Sequence, residues 1–184
     1  PVNPAIVGTW LIGNPPNQGF VILFLEDGTY VSLRKSSAIQ VAEGGSDGLE
    51  RGLYSWNPAT GDLSFITRQD TDGGDGPSGL NGASGVTIQV AGDTALVHIP
   101  GQGDESAVRL KGGLGTLAGG WVFDADPGSG NVTVAVFLPD GTFYQGQAGD
   151  PAAEGSVVAR RNGIEEGTYS WNPVTGAFAV QVAI

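Results

Sequence analysis

"GLERGLYSWNPATG" occupies residues 48–61 and "GIEEGTYSWNPVTG" occupies residues 163–176, a match at ten of fourteen positions. Two more phrases accompany it in each half. "FLEDGTY" (24–30) precedes the first copy and "FLPDGTF" (137–143) the second, and upstream of these stand "VGTW" (7–10) and "AGGW" (118–121). The three anchors keep their order at offsets of 115, 113 and 111 residues, which chance does not produce. The chain therefore carries an internal duplication.

Each anchor has a mechanical reading. "EDG" and "PDG" lie between strand-like runs and read as hairpin turns, with Gly28 and Gly141 supplying positive φ. In "WNPxTG" the Asn starts a turn, the Pro presets φ, and Gly61 or Gly176 takes a left-handed or bulge position. Strand periodicity puts Tyr54 and Trp56 on one face, and Tyr169 and Trp171 repeat this. "NVTVAVFL" (131–138) and "AFAVQVAI" (177–184) alternate in the same way, the latter placing Phe178, Val180, Val182 and Ile184 together. No segment shows a helical period, and Gly interrupts nearly every candidate helix, so the chain reads as all-β.

Strands are expected near 6–12, 19–26, 29–35, 38–42, 50–57, 62–68, 86–91, 94–99 and 106–111 in a first module. In a second they are expected near 118–124, 131–138, 141–146, 155–160, 166–172 and 177–184. The modules divide as 1–112 and 113–184, with the Gly-rich "KGGLGTLAGG" (111–120) at the junction. Eight or nine short antiparallel strands joined by hairpins predict an up-and-down barrel, with a β-sandwich as the alternative. The second module lacks everything the first carries from about residue 70 to 110, so it reads as incomplete.

Composition narrows the function. The 184 residues include 32 Gly and 11 Pro, spread among apolar runs, which reads as many tight turns. There is no Cys, hence no disulfide and no thiolate chemistry, and the single His, His98, excludes a multi-His metal site in one chain. A net charge of −11 repels phosphate backbones, so nucleic acid is not an expected partner. No apolar stretch reaches the length of a membrane-spanning helix, and no segment reads as a signal peptide. Pro1 without a preceding Met reads as a proteolytic end, a truncation boundary or the first ordered residue, so both ends of the chain are left open to further sequence.

Gly8-Thr9-Trp10 and Gly119-Gly120-Trp121, each opening a meander, resemble the G-x-W start of the calycins, the lipocalins, avidins and their relatives. The resemblance implies that Trp10 packs across the barrel floor against an Arg of the last strand, a place that Arg109 in "SAVRLKG" matches. Such a cation–π stack contributes roughly 0.5–2 kcal/mol. The second module has no counterpart to this Arg. The full pattern also resembles tandem repeats of uncharacterised bacterial secreted or surface proteins.

The candidate sites are few. Trp10, Tyr54, Trp56, Trp121, Tyr169 and Trp171 line a ligand cavity or, as the stronger expectation, fill the core. Asp70, Asp72 and Asp75 in "DTDGGDG" place three carboxylates on a Gly-rich loop that suits Ca²⁺, although the spacing misses an EF-hand and a solvated acidic loop is the favoured reading. No other cofactor is expected. His98 has no G-x-S-x-G elbow, and the repeated pairs Glu50/Glu165 and Asp27/Asp140 read as strand-edge and turn residues, so no catalytic constellation emerges.

The expected function follows from architecture. An incomplete antiparallel module exposes strand edges, and three things would resolve it: chain beyond Ile184, cover of its open sheet by the first module, or strands of a neighbouring molecule, for which such edges are templates. A non-enzymatic, secreted or cell-surface structural protein is expected, self-associating into an extracellular polymer through completion of its second module. Val2 and Ile6 of "PVNPAIV" would donate a strand to Phe178, Val180, Val182 and Ile184 of a neighbour. The alternative is a binding module: a carrier of a small apolar ligand or a glycan-binding adhesin domain.

Overall fold

The computed structural model describes residues 2–14, 18–34, 48–70, 83–101, 103–112, 116–123, 132–148 and 163–183. The described residues form thirteen strands and no helix. They fall into two compact units, Pro1–Arg109 and Leu110–Ile184. The expected strands at 38–42 and 155–160 lie outside the described residues.

The first unit holds β1 (Gly8–Asn14), β2 (Gln18–Phe24), β3 (Thr29–Arg34), β4 (Gly48–Trp56), β5 (Leu63–Asp70), β6 (Thr87–Ala91), β7 (Thr94–Ile99) and β8 (Gly103–Leu110). They make one sheet in the order β5-β4-β3-β2-β1-β8-β7-β6. The sheet curls until its two edges meet at one end. There Asp62 bridges Thr87, Leu63 N–H donates to Val86 O over 3.0 Å, and Ile88 N–H donates to Gly61 O over 2.8 Å. The β-sandwich alternative therefore gives way to a barrel-like sheet. Its interior draws on every strand: Trp10, Ile22, Tyr30, Tyr54, Leu63, Ile88, Val97 and Ala107 share one buried cluster. Burying each of the larger side chains contributes roughly 1.5–3 kcal/mol.

The second unit holds β9 (Gly119–Phe123), β10 (Val132–Phe137), β11 (Thr142–Ala148), β12 (Gly163–Trp171) and β13 (Phe178–Val182). They form an antiparallel meander in the order β13-β12-β11-β10-β9. Strand for strand these repeat β1 to β5. Trp56 pairs with Leu63 and Trp171 with Phe178, Tyr54 with Phe65 and Tyr169 with Val180. Phe24 pairs with Tyr30 as Phe137 does with Phe143. Among the described residues the second sheet has no counterpart of β6, β7 or β8, so β9 and β13 are its edges.

The turns explain why the phrases repeat. Asp27 accepts from the backbone N–H of Thr29 at 2.9 Å, and Asp140 does the same for Thr142 at 2.9 Å. In the second phrase Asn57 and Asn172 accept from the backbone N–H of Ala59 and Val174, and Gly61 and Gly176 close the turn at φ 81° and 71°. Gly52 and Gly167 serve another purpose. A Cβ on Gly52 would lie 2.0 Å from Ile66 O, and one on Gly167 would lie 2.0 Å from Gln181 O. At Arg51/Gly52 the ladder register shifts, so the glycine lets the next strand cross close to the backbone.

Candidate functional site

The aromatic floor of the first unit is fully organised. Trp10 is completely buried, and its Nε1 donates to Ile6 O over 2.7 Å. The Arg109 guanidinium lies 4.5 Å from the Trp10 ring centroid. Its Nη1 donates to Val7 O over 2.7 Å and its Nη2 to Ala5 O, while the Asp93 carboxylate stands 4.0 Å from Nε. Tyr54 packs edge-on against Phe24 at 4.7 Å and donates its hydroxyl to Leu25 O over 3.0 Å. Burial, assisted by the negative charge of Asp27, pushes the Tyr54 phenol up to about 12. Trp56 donates from Nε1 to Ile88 O over 3.0 Å, tying β4 across to β6.

These contacts correct the expected donor segment. Ile6 is fully buried in the first core and Val2 packs against it. Pulling residues 2–7 away would strip the acceptor from the Trp10 indole and both carbonyls from Arg109. The segment is a fixture of its own unit.

The second unit repeats two of these polar contacts, and it buries the residues of its central strands but not Trp121. Trp121 Nε1 donates to Leu117 O over 3.0 Å, the counterpart of the Trp10–Ile6 bond, yet Trp121 is 45% exposed. The expectation that Trp121 is buried like Trp10 is therefore corrected. Among the described residues no arginine stacks on it and no strand closes over it. Tyr169 donates to Leu138 O over 2.9 Å and meets Phe137 edge-on at 4.9 Å. Burial raises the phenols of Tyr144 and Tyr169 above their ordinary value.

Exposure concentrates at the two edges of this sheet. Phe123 on β9 is 51% exposed, although its counterpart Ile12 is buried. On β13 Phe178, Val180 and Val182 are each about half exposed, whereas Leu63, the counterpart of Phe178, is buried. Ser170, Trp171, Asn172, Ala177, Phe178 and Ala179 line an open cleft of about 250 Å³. Among the described residues the Trp171 indole N–H has no acceptor, so the cleft lies where Ile88 stands against Trp56 in the first unit.

The remaining candidates are dispersed. Asp70 ends β5, while Asp72 and Asp75, like Ile184, lie outside the described residues. Among the described residues no three acidic or His side chains converge on a metal-sized site. His98 Nδ1 lies 2.6 Å from Asp104 Oδ1 in an exposed pair on β7 and β8. Glu50 is buried beside Ser32, at 3.5 Å, whereas its repeat partner Glu165 is exposed. Asp27 and Asp140 hold their carboxyls below the usual carboxylate value, chiefly through hydrogen bonds from the Thr29 and Thr142 hydroxyls.

Phe123 and the cleft residue Ser170 were not singled out by sequence reasoning. The alternation of "GGWVF" carries the signal for Phe123. No known protein family, curated protein or solved structure matches this chain.

Proposed function

We propose that this chain is a non-enzymatic structural protein of the cell exterior whose second unit is an assembly module, its sheet completed by strands from outside residues 118–184. The observation that carries this reading is the half-exposed apolar row Phe178, Val180 and Val182 on edge strand β13. In the first unit the matching edge meets β6. A free apolar edge is a template for another strand. Among the described residues the second sheet has two such edges, β9 and β13, and pairing at both propagates into a polymer rather than closing as a dimer. The first unit, a calycin-like barrel filled by its own aromatics, acts as the rigid spacer. An acidic, Cys-free composition suits an extracellular setting. Sedimentation velocity and negative-stain imaging of the purified chain over a range of concentrations test the reading. Ordered polymers support it, and a monomer at every concentration overturns it.

A second reading is favoured by the cleft at Trp171 and Phe178, where two aromatic rings adjoin the polar Ser170 and Asn172. That chemistry suits stacking on a sugar ring or an apolar ligand. Tryptophan fluorescence titration with a glycan panel and an apolar probe tests it. A saturable change that Trp171→Ala abolishes would make the protein a binding module.

A further inference from the structure

We propose that β13 pairs antiparallel with β13 of a second copy of this chain, in a register centred on Val180; the inference rests on the assembly reading above and names its partner. Three observations lead there.

The first is the direction of the backbone groups. Ala183 N–H donates to Glu166 O over 2.8 Å, and Asn172 N–H donates to Ala177 O over 2.9 Å. Antiparallel ladders alternate, so the odd-numbered residues of β13 face β12. The N–H and C=O groups of Phe178, Val180 and Val182 therefore point outward, along the edge of the sheet.

The second is the template in the first unit. There the same edge accepts an antiparallel strand: Leu63 N–H donates to Val86 O, Gly61 O accepts from Ile88 N–H, and the Trp56 indole donates to Ile88 O. The counterparts of Leu63, Gly61 and Trp56 are Phe178, Gly176 and Trp171. Among the described residues Phe178 N–H, Gly176 O and Trp171 Nε1 have no partner. The second unit thus presents the contacts that accept a strand in the first.

The third is charge. The chain carries a net −11, yet Phe178–Val182 reads FAVQV and holds no charge, no Lys and no Pro. Those are the usual guards of a free edge, and opposed like charges would destabilise a pair of acidic edges. An uncharged edge is matched by another uncharged edge, and β13 of a second copy supplies one. Centring the two-fold on Val180 sets Val180 against Val180 and Phe178 against Val182. Every outward residue of the five then finds a partner, and any slip leaves some of them unpaired.

The chain contains no Cys, so a single introduced thiol reports the register directly. Directly opposed residues of an antiparallel hydrogen-bonded pair lie about 5.5 Å apart at Cα, within disulfide range. Under mild oxidation of the full chain, Val180→Cys is expected to give a disulfide-linked dimer about tenfold faster than Val174→Cys, because pairing raises the effective thiol concentration. Val174, 91% exposed in the turn, reports random collision. Val180→Lys is expected to shift sedimentation toward monomer with unchanged near-UV circular dichroism. If wild-type chains associate but Val180→Cys links no faster than Val174→Cys, β13 self-pairing is overturned and assembly stands on another surface. If wild-type chains stay monomeric throughout, both readings fall. Should Val180→Lys unfold the second sheet, the cysteine comparison alone decides.

Discussion

Arg109 closes the first unit by laying its guanidinium over the Trp10 ring, 4.5 Å from the ring centroid, while its two Nη groups hold the carbonyls of Ala5 and Val7. One side chain thus joins the last strand, the first strand and the segment that precedes it. Arg109→Ala is expected to remove a cation–π contact and two charge-assisted hydrogen bonds, for a loss of about 2–4 kcal/mol in urea unfolding. Arg109→Lys keeps the charge and loses the planar fork, so it recovers less than half of that. Equal stability of Arg109→Ala and wild type would remove this closure from the account.

The glycines at the strand crossings give a second prediction. Gly52→Ala and Gly167→Ala each drive a Cβ onto a carbonyl oxygen 2.0 Å away, which forces β5 or β13 to move. Each substitution is expected to destabilise by roughly 1–3 kcal/mol. Gly167→Ala is expected to release the amides of β13 to hydrogen exchange while those of β1 to β5 stay protected. Unchanged protection in β13 would contradict the close approach.

Much of this was legible in the sequence, and the parts that were not have physical causes. The turn residues Asp27, Asn57, Pro58 and Gly61 act locally, so their repetition declared the hairpins and their order. The Arg109–Trp10 contact joins the two ends of the first unit and was reachable only through a resemblance. The burial of Ile6 was hidden because Pro1 and Pro4 made its segment look like a loose edge. Trp121 sits in the same local phrase as Trp10, but burial depends on the strands that close over it, and that is a property of the whole sheet. The register shift at Arg51/Gly52 has no local signature beyond a glycine in a Gly-rich chain.

The Tyr54 phenol gives a pH prediction with a definite sign. Its folded value is raised from 10.0 to about 12, so the folded state favours the neutral hydroxyl. The stability it contributes is fully present below pH 10 and is lost as pH rises through the window from 10 to 12. Ultraviolet titration of the phenolate band is expected to show a late-ionising tyrosine. Tyr54→Phe should lose about 1 kcal/mol at neutral pH with the hydrogen bond to Leu25 O, and should flatten the alkaline decline. A decline of the same steepness in Tyr54→Phe would assign it to another group.

The two repeated tryptophans of the YSWN phrase are expected to respond differently to one substitution. Trp56 donates its indole N–H to Ile88 O, and Ile88 is fully buried, so Trp56→Phe leaves a carbonyl without its donor at the point where the sheet edges meet. The lost bond and the unsatisfied acceptor together cost about 1–3 kcal/mol, beyond the smaller loss of apolar contact. Trp171 occupies the matching position with no acceptor for its indole among the described residues, and it borders an open cleft. Trp171→Phe should therefore cost well under about 1 kcal/mol in the isolated chain, since no buried group is orphaned. The comparison is made at a concentration where sedimentation shows a monomer, with unfolding followed by circular dichroism for each variant. A large loss for Trp171→Phe under those conditions would mean that its indole is already satisfied within the chain, and the edge at β13 would then not be open.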